Sequence, residues 1–112
     1  MMNKFLILLA SLAIASASER KDITVVEYWA VWNSSNQIAF MDSLSNVKVE
    51  RVNTCENVDL VIKNNVIVVP TLIFYVDSTE VKRLEGDLSF TLKSTREEVQ
   101  KIINELNTLP KK

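Results

Sequence analysis

Few side chains in this sequence can do chemistry. Its 112 residues contain no histidine and a single cysteine, Cys55. A histidine general base and a Cys/His zinc site are therefore excluded. One thiol cannot form an internal disulfide, and no residue pattern implies a metal or a cofactor. What remains gathers in "EYWAVWNSSN", Glu27–Asn36. Glu27 is a carboxylate inside an apolar run, Trp29 and Trp32 flank its end, and Asn33 and Asn36 bracket two serines. Asn33-Ser34-Ser35 is an N-x-S sequon, a glycan acceptor in an exported protein. The plainer reading is helix capping, with Asn33, Ser34 or Ser35 accepting from free backbone N–H groups. Cys55 allows three readings: a small buried residue, an intermolecular disulfide, or a reactive thiol whose pKa a helix start lowers.

These residues need elements to hold them. "DITVVEYWAV" is β-branched, aromatic and nearly continuous, as expected of a strand covered on both faces. "SSNQIAFMDSLS" places Ile38, Met41 and Leu44 on one side and predicts a helix starting at Ser34 or Ser35. "VKVERVN" predicts a second strand. "TCENVDLVIKNN" predicts a helix beginning at Asn53 or Thr54 and stopped by Asn64-Asn65. "VIVVPTLIFYV" is the strongest strand signal, but Pro70 cannot donate to a ladder and marks an edge or a strand start. "DST" predicts a turn and "EVKRLEG" its hairpin partner. "STREEVQKIINEL" predicts a final helix, with a Ser94/Glu97 capping box and a buried stripe of Val99, Ile102, Ile103 and Leu106. The order β-α-β-α-β-β-α predicts one domain with a mixed four-stranded sheet and helices on both faces. Its two β-α-β steps predict parallel pairs.

The net charge is -1, which gives nucleic-acid binding no support. The N-terminus has Lys4, an apolar run from Phe5 to about Ala15, then Ala15-Ser16-Ala17. The run is shorter than the roughly 20 residues of a membrane span and has the order of a secretory signal peptide. Residues 1–17 are expected to be removed, leaving residues 18–112 as the domain, with no membrane segment. The expected location is outside the cell or in the secretory lumen. The chain ends "LPKK", not in a retention tail.

"VVEYWAVWNSSN" resembles the active-site segment of thioredoxins and protein disulfide isomerases, where a strand ends in Trp-Cys-x-x-Cys. "VVPTLIFY" resembles their cis-proline loop and following strand, and Glu85-Gly86 with the last helix falls where that superfamily has them. The resemblance implies a thioredoxin-like α/β fold over about Ile23 to Leu106, reduced to a minimal βαβαββα core. The family's two cysteine positions are Asn33 and Asn36 here. An amide is neither nucleophile nor leaving group for thiol–disulfide exchange, so the expected protein is redox-inactive.

The resemblance also places a Glu27–Arg51 pair beneath the site, Glu27 being a relict of the family's buried acid. It places a cis bond before Pro70, and a groove for an extended peptide or protein partner at Trp32, Asn33, Val69, Pro70, Thr71 and Gly86. Trp29 is expected in the core and Trp32 beside the groove. "VKVERVN" becomes an edge that Lys48 and Glu50 guard, or the seam of a homodimer through Val47–Asn53 or Cys55. The alternatives to peptide binding are a single-cysteine oxidoreductase acting through Cys55 and a structural or effector protein without a groove.

Overall fold

The computed structural model describes residues 22–109; the expected signal peptide lies outside them. Strand β1 is Ile23–Trp29, β2 Lys48–Asn53, β3 Thr71–Val76 and β4 Thr79–Glu85, with helix α1 at Val58–Lys63 and α2 at Arg96–Thr108. The four strands form one sheet in the order β2-β1-β3-β4. β1 and β2 are parallel, whereas β3 runs antiparallel to both β1 and β4. β2 is thus an edge, and Lys48 pairs with Glu50 along it at 3.2 Å. Among the described residues no helix is long and apolar enough to cross a membrane.

Two expectations of parallel pairing become one. The connection from β2 to β3, residues 54–70 with the six-residue α1 inside it, re-enters the sheet at the end where β2 left it, so β3 runs antiparallel to β1.

The strand period splits the core by face. Val25, Leu72 and Phe74 turn to one side and pack with Ile38, Met41, Val99 and Ile103. Val26, Tyr28 and Ile73 turn to the other, with Val52, Val66 and Tyr75 against them. α2 covers the first side with its predicted stripe. On the other side, the Asn64 side chain at the end of α1 donates to the Tyr28 hydroxyl at 3.0 Å.

Local elements differ from expectation in four places. No α-helix spans 34–45; Val31–Asn36 and Met41–Ser43 are short 3-10 helices instead. The second helix begins after Asn57, not at Asn53 or Thr54. Asn65, with φ of 53°, supplies the left-handed stop. The last helix is capped by Thr95 and Glu98, not by Ser94 and Glu97. Both pairs fit the S/T-x-x-E spacing; the first intrahelical bond, Val99 N–H to the Thr95 carbonyl, fixes the choice. Trp29 is half-buried rather than core.

Candidate functional site

Glu27 sits opposite Arg51 in the parallel register of β1 and β2. Its side chain is 0% exposed, yet both carboxylate oxygens are used. One accepts from Arg51 Nε at 3.1 Å and the other from the Ile38 backbone N–H at 2.9 Å. Arg51 reaches on to Asp42 at 3.3 Å. Burial pushes the Glu27 carboxyl up, and the bonds from Ile38 and Arg51 pull against it without reversing it. The pair ties two strands to the loop that follows the first 3-10 helix.

This contact also explains the missing helix. In an α-helix the Ile38 N–H would donate to the Ser34 carbonyl. Here Gln37 N–H takes that carbonyl at 3.1 Å, in the tighter 3-10 pattern, and Ile38 turns to Glu27. Ser34, Ser35 and Asn36 resist this weakly, because such residues favour caps and turns over helix interiors.

Asn33 and Asn36 are joined to each other. Asn36 Nδ2 donates to Asn33 Oδ1 at 2.8 Å, and Asn33 Nδ2 donates to the Phe90 carbonyl at 2.9 Å. The amide has both donor and acceptor capacity and uses both. Asn33 is 9% exposed. The nitrogen that would carry a glycan in the sequon is the one that donates to the Phe90 carbonyl.

The Val69–Pro70 peptide bond is cis. Gly86 lies against it, with its N–H donating to the Pro70 carbonyl at 2.8 Å. A Cβ at position 86 would come within 3.0 Å of the Pro70 carbonyl oxygen and 3.2 Å of that of Val69. A side chain there would require the Pro70 loop to shift by a few tenths of an ångström. Val69, Pro70 and Thr71 are all buried. Of the six residues expected to line a groove, Trp32 alone is exposed, at 64%, and Gly86 is half-buried.

Besides Trp32, the apolar side chains Val31, Leu88 and Phe90 face solvent, which the sequence pattern shows only in part. The Phe90 ring meets Trp32 edge-on at 5.2 Å. Leu88 and Phe90 belong to the turn Asp87–Thr91. Asp87 Oδ1 accepts there from Ser89 N–H, Thr91 N–H and Thr91 Oγ1. Desolvation opposes ionisation of Asp87, but the bonds from Thr91 and Ser89 outweigh it and hold the carboxyl at about 2. The spacing of Asp87, Ser89 and Thr91 is a turn signal, but nothing in it says that the turn reaches back to residue 33.

Cys55 is exposed, so its buried reading is corrected. It is not at a helix start either. It lies in the turn after β2, where its N–H donates to Asn53 Oδ1. Among the described residues no cluster of His, Cys, Asp and Glu could hold a metal ion.

No protein-family model matches the sequence, and no curated protein sequence does. Solved structures do match. A point-mutant thioredoxin from Halobacterium salinarum NRC-1 superposes with a TM-score of 0.65 at 18% identity, over 79% of this chain and 77% of its own. A Fasciola hepatica thioredoxin gives 0.58 at 20% identity, over 87% and 92%. A malaria parasite thioredoxin-2, described as a component of the protein secretion machinery, gives 0.59 at 19%, over 76% and 84%. Together with the mixed sheet and its flanking helices, these likenesses give the chain a thioredoxin-like α/β fold.

Proposed function

We propose that this is an exported, redox-inactive protein that binds an extended peptide or a protein partner at the face where thioredoxins carry their dithiol. The observation that carries this reading is Trp32. It is exposed beside Asn33 and Asn36, at the end of the strand that would present two cysteines, and follows the exposed apolar Val31 in the chain. An exposed aromatic with apolar neighbours is a common anchor for recognition. Two amides at the thiol positions support the loss of exchange chemistry.

Peptide capture by the wild type and by Trp32→Ala tests the reading. Capture by the first and loss in the second supports it. Equal, negligible capture by both favours a structural or effector protein. A second reading, exchange through Cys55, is favoured by that thiol's exposure. Turnover in an insulin-reduction assay that disappears in Cys55→Ser would establish it against the binding reading. Export is supported by Lys4, the run from Phe5 to Ala15, and Ala15-Ser16-Ala17. Intact mass of the product tests it: cleavage after Ala17, with no glycan on Asn33, is the expected result. Homodimerisation through β2 or Cys55 would appear as a doubled mass in light scattering, reductant-sensitive in the second case.

A further inference from the structure

We infer that Asp87–Thr91 is an occupant of this face supplied by the chain itself, and that the ligand it yields to presents an aromatic or large apolar side chain beside a free backbone carbonyl. The inference rests on the reading of the face as a peptide-binding surface and specifies its ligand.

Phe90 makes two contacts there, one from the backbone and one from the side chain. Its carbonyl accepts from Asn33 Nδ2 at 2.9 Å, and its ring meets Trp32 edge-on at 5.2 Å. An extended peptide laid across the site would be offered the same two groups. Asn33 cannot swivel away, because its oxygen is held by Asn36 at 2.8 Å. The donor is therefore aimed, and a carbonyl is what it suits.

The turn is shaped for this placement. Phe90 has φ of 61°, a left-handed conformation that bulky residues rarely adopt. Asp87 enforces it. Its backbone N–H donates to the Thr91 carbonyl and its own carbonyl accepts from Phe90 N–H, both at 2.9 Å, while its carboxylate takes Ser89 and Thr91. Lys93 adds a contact to the same carboxylate at 3.5 Å. Core packing holds neither Leu88, which is 99% exposed, nor Phe90, which is exposed as well. Phe90 is tied to the site through Asn33 and Trp32, the two groups a ligand would take over.

Two measurements test this on the full-length secreted protein. The first needs no ligand. The side-chain amide protons of Asn33 are followed by NMR in the wild type and in Asp87→Ala, or in Asp87→Asn if the alanine variant does not fold. Slow exchange in the wild type that becomes fast in the variant is expected; indistinguishable exchange overturns the inference. The second uses hexapeptides of glycine and serine with one central residue, Phe, Leu, Lys or Asp. Phe90→Ala should bind the Phe and Leu peptides roughly three- to tenfold more tightly than the wild type, since a competing ring contact is gone. Trp32→Ala should lose the preference. Equal affinities of wild type and Phe90→Ala overturn the occupant, and a preference for Lys or Asp overturns the ligand class. If neither folded protein binds any peptide, the peptide-binding reading and the ligand class fall together, while the Asn33 amide signal still decides whether the segment holds the face.

Discussion

Glu27 is where one residue controls the most structure. It was legible in the sequence as a carboxylate inside an apolar strand, and the parallel register puts Arg51 directly opposite it. Its second partner, the Ile38 N–H, was not legible, because it requires the following segment to abandon the α-helical ladder. Glu27 holds its proton to a higher pH when folded than its ordinary 4.5, chiefly through burial. In that window the folded chain binds more protons than the unfolded one, so stability falls as pH rises from about 4.5 through the raised value. Asp87 and Glu80 are shifted down and act below their ordinary values, so their effects lie in a separate, more acidic window. Urea midpoints against pH should therefore decline above about 4.5 in the wild type and run flatter in Glu27→Gln. Parallel curves would reject this account. Gly86 makes a second prediction at this scale. Gly86→Ala forces a Cβ against the Pro70 carbonyl, and should cost about 1–3 kcal/mol as overpacking. A thermal melt within error of wild type would show that the Pro70 loop can give way.

At the scale of elements, the strands were legible and the helices only partly so. β-branched runs and the proline break placed all four strands to within a few residues. The segment 34–45 misled because Ile38, Met41 and Leu44 recur every third residue. That spacing suits 3-10 turns as well as one side of an α-helix, and Ile38 and Met41 are buried as required either way. The final helix was misplaced by one residue because two overlapping capping boxes read alike. The observed one makes a direct prediction. Thr95→Ala removes the side chain that accepts from Glu98 N–H at 3.1 Å, and should destabilise the protein by about 1 kcal/mol. Ser94→Ala makes no such loss and should stay within about 0.5 kcal/mol of wild type. Denaturant midpoints of the two variants decide between the boxes, and a larger loss in Ser94→Ala would restore the sequence reading. The Asp87–Thr91 turn was the least legible element. Its residues announce a turn, but its place against Asn33 depends on a tertiary approach that no local pattern encodes.

At the scale of the whole molecule, the segment Val31–Asn36 differs from a thioredoxin dithiol site in its backbone as well as in its two amides. Thioredoxin-type chemistry needs its first thiol at the start of a helix, where the dipole favours the thiolate. Here the segment Val31–Asn36 is a 3-10 helix kinked at Asn33, with φ of -120° and ψ of 25°, and the chain is extended again at Gln37. No helix runs on from position 33 to supply that field. The Phe90 carbonyl oxygen sits 2.9 Å from the Asn33 side chain, and a carbonyl would repel a thiolate where it now suits an amide donor. Glu27, which the resemblance makes a proton acceptor, has both oxygens committed to Ile38 and Arg51. Restoring the sulfurs alone should therefore not restore the reaction. In a Cys55→Ser background, Asn33→Cys/Asn36→Cys should give a thiol at position 33 that alkylates with a midpoint near the ordinary value of about 8.5. Its insulin-reduction rate should match that of a free dithiol at equal concentration. The pH dependence of iodoacetamide labelling measures the first and turbidity the second. A midpoint below about 7 with rapid turnover would mean that the fold had kept its thiolate-stabilising field; an ordinary midpoint with slow turnover would place the loss in the backbone as well as in Asn33 and Asn36.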